Sequence, residues 1–197
     1  KEPKYFSSLG LQFPHSGPGD DNVDRIMIRD FESYKKLFVG LDRFKLIGEA
    51  SSDYLYHHVH TAAAIKEVLG DIPIILCLRN PVDRAFSAYG NLVRDQRENL
   101  TFEQALDRET EGLANNWDWM WGYRSGGLYA DQVQTFLKTF SKVKIVLFEE
   151  FVKNPGESLL DLYEFLGVDS KFVADTQVKY SPSGRVTNKA FAKLSDR

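Results

Sequence analysis

The chain has one cysteine, no long apolar run and no excess of positive charge, and each shortage excludes a class of protein. The single thiol, Cys77, cannot close an internal disulfide, and one cysteine does not make a cysteine-based metal site. No apolar run approaches the ~20 residues that a membrane-spanning helix needs. A net charge of −3 argues against a general nucleic-acid binder. We therefore expect a cytoplasmic protein without a membrane span, with Cys77 packed in its core.

The order of apolar and polar segments predicts one α/β domain over residues 1–197. Its 197 residues are enough for a substantial core, and a hydrophobic content of 43% is ordinary for a globular protein. Strand patterns alternate with helix patterns, which favours a mostly parallel central sheet flanked by helices. Strands are predicted at 44–50, 72–78 and 143–151, and helices at 30–39, 57–69, 128–140 and 154–166. A further helix begins at Thr101, where Gln104 completes a capping box, and Gly167 is the predicted C-cap of the last helix.

The most informative stretch runs from Ile72 to Tyr89. Its apolar start, 72–78, predicts a strand buried on both faces, and Asn80-Pro81 predicts the N-cap and first residue of a helix. Arg79 stands at the carboxyl end of the strand, where parallel sheets bind ligands, and a helix N-terminus beside it suits a phosphate. On these residues alone, Arg79 is equally well explained by a surface ion pair, and Asn-Pro by helix initiation.

Residues 78–89, LRNPVDRAFSAY, resemble the 3′-phosphate-binding segment of sulfotransferases that use 3′-phosphoadenosine 5′-phosphosulfate (PAPS). That segment carries an arginine that ends a strand and a serine eight positions later. Further segments resemble this family in the same order, closest to its bacterial and heparan-sulfate-type members. They are KEPKYF at 1–6, LIGEASSDYL at 46–55, the stretch 126–155 and KYSPSGRV at 179–186.

The resemblance implies the fold, the co-substrate and most of the site. It implies a P-loop-NTPase-like sulfotransferase fold in which Arg79 and Ser87 bind the 3′-phosphate of PAPS. Ser183, Gly184 and Arg185 match a late loop that closes over the nucleotide. The implied partners are the nucleotide donor and a small-molecule, lipid or carbohydrate acceptor with a hydroxyl or an amine. Neither a metal ion nor a nucleic acid is implied.

Glu2 is the candidate catalytic base by the same resemblance, because the glutamate of the K-E-P-type segment has that role in similar enzymes. An attacking hydroxyl or amine must lose its proton, and a carboxylate within hydrogen-bond reach can accept it. Without the resemblance, Glu2 would be a solvated residue near a chain end. Glu49 is predicted to end a strand and face the same cleft, but Ala50 follows it where related heparan-sulfate enzymes often have a lysine.

Two side-chain clusters have competing explanations. His57, His58 and His60 suggest a metal site or an alternative base, yet their spacing fits the first turn of an ordinary helix better. The aromatic group in 117–123 (Trp117, Trp119, Trp121 and Tyr123) suits sugar binding and packing under a loop equally well.

One feature of the family is missing from this sequence. Members begin with a strand and a phosphate-binding loop that carries a lysine and Ser/Thr residues, and no Gly-rich G-K-[ST] stretch occurs here. We therefore expect that Lys1 is not the natural start and that an apolar strand, this loop and a helix precede it. The alternatives are a non-catalytic nucleotide- or sulfated-glycan-binding module of the same fold and a P-loop-type kinase relative. The lack of a Mg²⁺-binding signature weakens the kinase alternative.

Overall fold

The computed structural model describes residues 2–176, and its strands lie between helices along the chain. The elements in order are α1 (Tyr5–Ser8), α2 (Asp20–Ile26), α3 (Phe31–Lys36), α4 (His58–Leu69), β1 (Ile74–Leu78), α5 (Pro81–Arg94), α6 (Phe102–Ala114), α7 (Tyr129–Thr139), β2 (Val143–Leu147), α8 (Phe148–Lys153) and α9 (Pro155–Leu166). Two short 3₁₀ turns, Trp119–Trp121 and Ser125–Gly127, lie between α6 and α7. No helix within the described residues is both long enough and apolar enough to cross a membrane.

Strands β1 and β2 pair in parallel, with Ile74 opposite Val143 and Leu78 opposite Leu147. This confirms the predicted α/β fold with a parallel sheet. The predicted strand at 44–50 is wrong, because that segment is irregular in the structure. Its apolar pattern is local, whereas a strand needs a neighbour to complete its hydrogen bonds. Within residues 2–176, no segment supplies that ladder.

The predicted burial of β1 on both faces is also wrong. Leu76 is buried against α4 and α7, but Ile75 is 41% exposed and Cys77 is exposed as well. Side chains alternate between the two faces of a strand, so one face of β1 packs on the helices while the other is open. Cys77 is therefore not the core residue that the sequence suggested.

Strand β2 is shorter than predicted, because the chain turns into α8 at Phe148. In the register of the pair, β1 ends opposite Leu147, so residues beyond it have no partner strand. Glu149 and Glu150 lie in the first turn of α8, where acidic side chains favour a helix start.

The helix ends follow the predicted capping signals. The Asn80 side chain accepts hydrogen bonds from the backbone N–H groups of Val82 and Asp83 at the start of α5. Thr101 and Gln104 form the predicted capping box at the start of α6. Gly167 ends α9 with φ = 64°, a left-handed conformation that glycine adopts at little cost.

Two groups of buried side chains hold the fold together. The first lies under the open sheet and joins α1, α3, α4, β1 and α7, with Phe6, Tyr34, Ile65, Leu76 and Phe136 among its members. The second packs α5 and α6 against the aromatic segment between α6 and α7. Leu76 of β1 belongs to the first group, and Ala85 of α5 belongs to the second.

Asp20 ties the start of α2 to the aromatic segment. Its carboxylate is fully buried and accepts hydrogen bonds from the backbone N–H groups of Gly17 and Asp118, both at 2.8 Å. It also accepts from the Trp121 indole at 3.1 Å and pairs with Arg97. A buried carboxylate with this many donors fixes the geometry of the loops that meet there.

We expect Asp20→Asn to lower the free energy of unfolding by about 3–5 kcal/mol, since it leaves Arg97 without its buried partner. Urea unfolding followed by circular dichroism would measure this loss. Asp21→Asn is the matched control, because Asp21 forms an exposed pair with Arg25 and its loss should cost less than ~1 kcal/mol. Equal effects of the two substitutions would contradict the assigned role of Asp20.

Candidate active site

Arg79 is an unpaired cation at the carboxyl end of β1. Among the described residues, its guanidinium forms no ion pair and no hydrogen bond, and it lies 5.1 Å from the centroid of the Phe148 ring. The simple explanation of Arg79 as half of a surface ion pair therefore finds no support within this part of the chain. An unpaired guanidinium offers a planar fork of donors that matches a phosphate or sulfate.

The N-terminus of α5 does not offer the free N–H groups that the sequence suggested. The Asn80 side chain occupies those of Val82 and Asp83, at 3.0 and 3.3 Å, and Pro81 has none. The Asn80 N–H donates to Glu149 at 2.8 Å. An anion at this end of α5 must therefore be held mainly by side chains.

Ser87 is the second side chain available for that purpose. It lies seven residues after the N-cap Asn80, which is about two helical turns and returns it to the same side of the helix. Its residue is half-buried, and its hydroxyl has no hydrogen-bond partner among residues 2–176. Arg79 and Ser87 thus both have unused donors, with Arg79 just before α5 and Ser87 about two turns into it.

A cavity of about 750 Å³ is lined by residues of β1, of the irregular segment 46–55 and of the neighbouring core. Its walls are mostly apolar, and Glu2, Glu49 and Cys77 are among the residues that line it. Cys77 lies two residues before Arg79, and Arg79 itself is not among the lining residues. The cavity therefore brings Glu2 and Glu49 to the same space as β1.

Glu2 is exposed, and its position is fixed by Ser52. Its carboxylate accepts hydrogen bonds from the Ser52 hydroxyl at 2.8 Å and from the Ser52 N–H at 3.2 Å. The Lys4 ammonium lies 4.0 Å from the same oxygen, Oε2. These contacts hold the carboxylate at the cavity without covering it.

Lys4 and Asp53, which sequence reasoning did not single out, form a buried pair next to Glu2. Lys4 is in the left-handed region with φ = 53°, and its ammonium lies 3.9 Å from Asp53 Oδ2. Burial raises the pKa of Asp53, while the charge of Lys4 opposes that rise. The Ser7 hydroxyl donates to the same Asp53 oxygen at 2.7 Å, which fixes the turn that carries Glu2 and Lys4.

Glu49 lines the cavity, but its oxygens already have partners. Oε1 accepts hydrogen bonds from Tyr54 at 2.8 Å and Tyr34 at 3.5 Å, and Oε2 accepts from Ser51 at 3.3 Å. Burial raises the pKa of Glu49 despite these donors. Glu49 therefore serves mainly to join α3 to the loop before α4, and Glu2 has the more accessible carboxylate.

A family model described as a sulfotransferase domain matches residues 37–193 of this chain. The chain belongs to the sulfotransferase family. Among solved structures, a sulfotransferase from Alicyclobacillus acidocaldarius is 42% identical, with a TM-score of 0.87. That match covers 92% of this chain and 74% of the other. No curated protein matches the chain. Family and fold together support sulfotransfer as the general activity of this chain.

The aromatic segment of this sulfotransferase is used mainly for packing. Trp121 is 2% exposed and Tyr123 is 1% exposed, and Trp117 packs against Trp121 with ring centroids 4.8 Å apart. Trp119 is only partly buried, and the Lys4 ammonium lies 5.6 Å from the centroid of its ring. Of the four aromatic residues considered for sugar binding, Trp119 is thus the one next to the Glu2 region.

The histidines at the start of α4 have structural contacts. His57 precedes the helix, and burial, together with the nearby histidines and Lys4, lowers its pKa to about 3. His58 shares a 2.8 Å hydrogen bond with Thr135, and His60 contacts the Ser7 carbonyl oxygen at 3.1 Å. Among the described residues, no group of three or more His, Cys, Asp or Glu is placed to hold a metal ion.

Ser183, Gly184 and Arg185 lie outside the described residues, so their predicted contact with the nucleotide stays a prediction. Within the described part, the sequence did not point to Tyr129 or Glu149, which contact the backbone beside Arg79. Arg79 was singled out because parallel sheets bind ligands at the carboxyl ends of their strands. The same rule applies to Glu149, which lies two residues after the end of the parallel strand β2.

Proposed function

We propose that this sulfotransferase uses PAPS and transfers its sulfuryl group to a hydroxyl or amine of a small-molecule, lipid or carbohydrate acceptor. The observation that carries the proposal is the unpaired Arg79 at the end of β1, together with the unused hydroxyl of Ser87 in the helix that follows. Such donors suit the 3′-phosphate that distinguishes PAPS from ordinary adenine nucleotides. A cytoplasmic location stays a prediction.

Arg79 supplies charge and a bidentate fork for the 3′-phosphate, and Ser87 supplies one more donor. Because the N–H groups at the start of α5 are already used, the two side chains have to provide most of the binding energy there. Ser183, Gly184 and Arg185 are proposed to add backbone and side-chain donors, since Gly184 permits close approach of the backbone to a phosphate.

Glu2 is the proposed general base of the transfer. A bond forms between the acceptor oxygen or nitrogen and sulfur, while the bond from sulfur to the donor's phosphate oxygen breaks. The acceptor proton passes to Glu2, and adenosine 3′,5′-bisphosphate leaves. Ser52 fixes the carboxylate in place before the reaction, which is how positioned groups lower the barrier at little further cost. The residues named here need no metal ion for these steps.

The expectation that a strand and a phosphate-binding loop precede Lys1 stays a prediction. The cavity offers a place for such a strand, because among the described residues β1 pairs along one edge only, with β2. Residues of β1 and of the irregular segment 46–50 line the cavity. Ile47 and Ile75 are both about 40% exposed there. Burial of these apolar side chains would favour the added strand by roughly 25 cal/mol per Å² of surface covered.

We expect Arg79→Ala to weaken the binding of adenosine 3′,5′-bisphosphate by about 2–4 kcal/mol, as truncation of one partner in a close charge pair does. Calorimetry on the full-length protein would measure the affinity. Arg43→Ala is the matched control, since Arg43 is exposed and lies over Phe44 in another region. Unchanged affinity of the Arg79 variant would remove the main support for a 3′-phosphate site.

We expect Glu2→Gln to keep nucleotide affinity but to lower kcat by about 10²-fold or more, the usual range for loss of a general base. Transfer of label from PAPS to a confirmed acceptor would be the assay, again with the full-length protein. Native turnover by this variant would direct the search for the base to Glu49 and His58. Nucleotide binding without transfer by the unaltered protein would favour the non-catalytic binding module instead.

A further inference from the structure

One peptide group, the bond between Arg79 and Asn80, is held at both of its polar ends by side chains from distant parts of the chain. The Arg79 carbonyl oxygen accepts a hydrogen bond from the Tyr129 hydroxyl at 3.0 Å. The Asn80 N–H donates to Glu149 Oε1 at 2.8 Å. Neither end of the group takes part in the β1–β2 ladder or in the helical hydrogen bonds of α5. The two side chains therefore satisfy backbone groups that secondary structure leaves unpaired.

The two side chains come from the first residues of different helices. Tyr129 is the first residue of α7, and Glu149 is the second residue of α8, directly after β2. Burial raises the pKa of Tyr129, so its hydroxyl keeps the proton that it donates. The Asn80 N–H lowers the pKa of Glu149, and so to a smaller degree does the charge of Arg79, so the carboxylate stays ionised as an acceptor.

The segment before Tyr129 is packed closely against the start of α5. A Cβ on Gly127 would lie 2.9 Å from Pro81 Cβ, and one on Gly126 would lie 2.7 Å from the Arg84 guanidinium. Arg84 donates to the carbonyl oxygens of Gly122 and Tyr123 at 2.7 and 2.6 Å. The position of Tyr129 relative to α5 is therefore set by close packing and by a half-buried arginine.

We propose that Tyr129 and Glu149 are positioning residues that lock the Arg79–Asn80 peptide and thereby aim Arg79 at the 3′-phosphate held with Ser87. Rotation of this peptide group would change the position of the Arg79 Cα relative to the N-cap of α5, and with it the direction of the Arg79 side chain. With the usual free N–H groups of a helix N-terminus already used, selectivity for the 3′-phosphate depends on how well Arg79 is directed. The inference rests on the proposed function, because it concerns the same nucleotide site.

The test compares two ligands, adenosine 3′,5′-bisphosphate and adenosine 5′-monophosphate, which lacks the 3′-phosphate. The ratio of their dissociation constants measures selectivity for the 3′-phosphate. We expect Tyr129→Phe and Glu149→Ala each to reduce this ratio by about 3- to 10-fold, the scale of one lost hydrogen bond. The fold reduction of this ratio in the double variant should be smaller than the product of the two single reductions, because both side chains act on one peptide group.

Two further variants separate positioning from simple charge or stability effects. Glu149→Gln keeps an acceptor for the Asn80 N–H and should retain more of the selectivity than Glu149→Ala. Glu150→Ala removes the same charge one residue away, from a side chain with no hydrogen bond or ion pair among the described residues, and should leave the ratio unchanged. Thermal unfolding of every variant would show whether each is folded.

Selectivity that is unchanged in the folded Tyr129→Phe and Glu149→Ala variants would overturn the proposal. So would tighter binding of the bisphosphate after loss of Glu149, because that would make Glu149 a competitor of the phosphate. An unaltered protein that does not prefer the bisphosphate would refute the proposed 3′-phosphate site itself, and this inference with it. The results for unaltered protein and variants therefore distinguish the two failures.

Discussion

Parallel pairing of β1 with β2 is the constraint on which the candidate site depends. Because both strands run in the same direction, their carboxyl ends meet at one edge of the sheet. Arg79 continues from one strand, and Phe148 and Glu149 continue from the other. A shift in register would separate Arg79 from both of these neighbours, so the pairing sets the chemistry of the edge as well as the fold.

The polar contacts around this edge show how an open arrangement can still be rigid. The sheet is exposed on one face, and the α5 N-terminus has its N–H groups occupied by its own N-cap side chain. Rigidity comes instead from side chains that reach the backbone, such as Arg84 to Gly122 and Tyr123. Groups fixed in this way need little reorganisation when a charged ligand arrives, which is the condition for electrostatic catalysis.

The sequence predicted those parts of the molecule that local chemistry determines. The Asn80 cap, the capping box at Thr101 and the glycine at the end of α9 all depend on residues within a few positions of each other. The predicted strand at 44–50 failed because pairing depends on a distant neighbour. The burial of Cys77 was wrong for the same reason, since apolar residues in a run do not reveal whether a second layer covers them.

The resemblance named Arg79, Ser87 and Glu2 as candidate site residues, and their roles stay predictions. Glu2 lines the cavity that residues of β1 also line. The phosphate-binding role of the helix N-terminus did not follow, because an N-cap asparagine that binds the N–H groups of Val82 and Asp83 removes them from a ligand. The roles of Lys4, Asp53 and Tyr129 depend on contacts between residues far apart in the chain.

A crystal structure of the full-length protein with adenosine 3′,5′-bisphosphate would test the central claim most directly. The account predicts that the 3′-phosphate lies within about 3 Å of both the Arg79 guanidinium and the Ser87 hydroxyl, the distance of ordinary hydrogen bonds. A nucleotide bound elsewhere, or bound here with its 3′-phosphate directed away from Arg79, would contradict it.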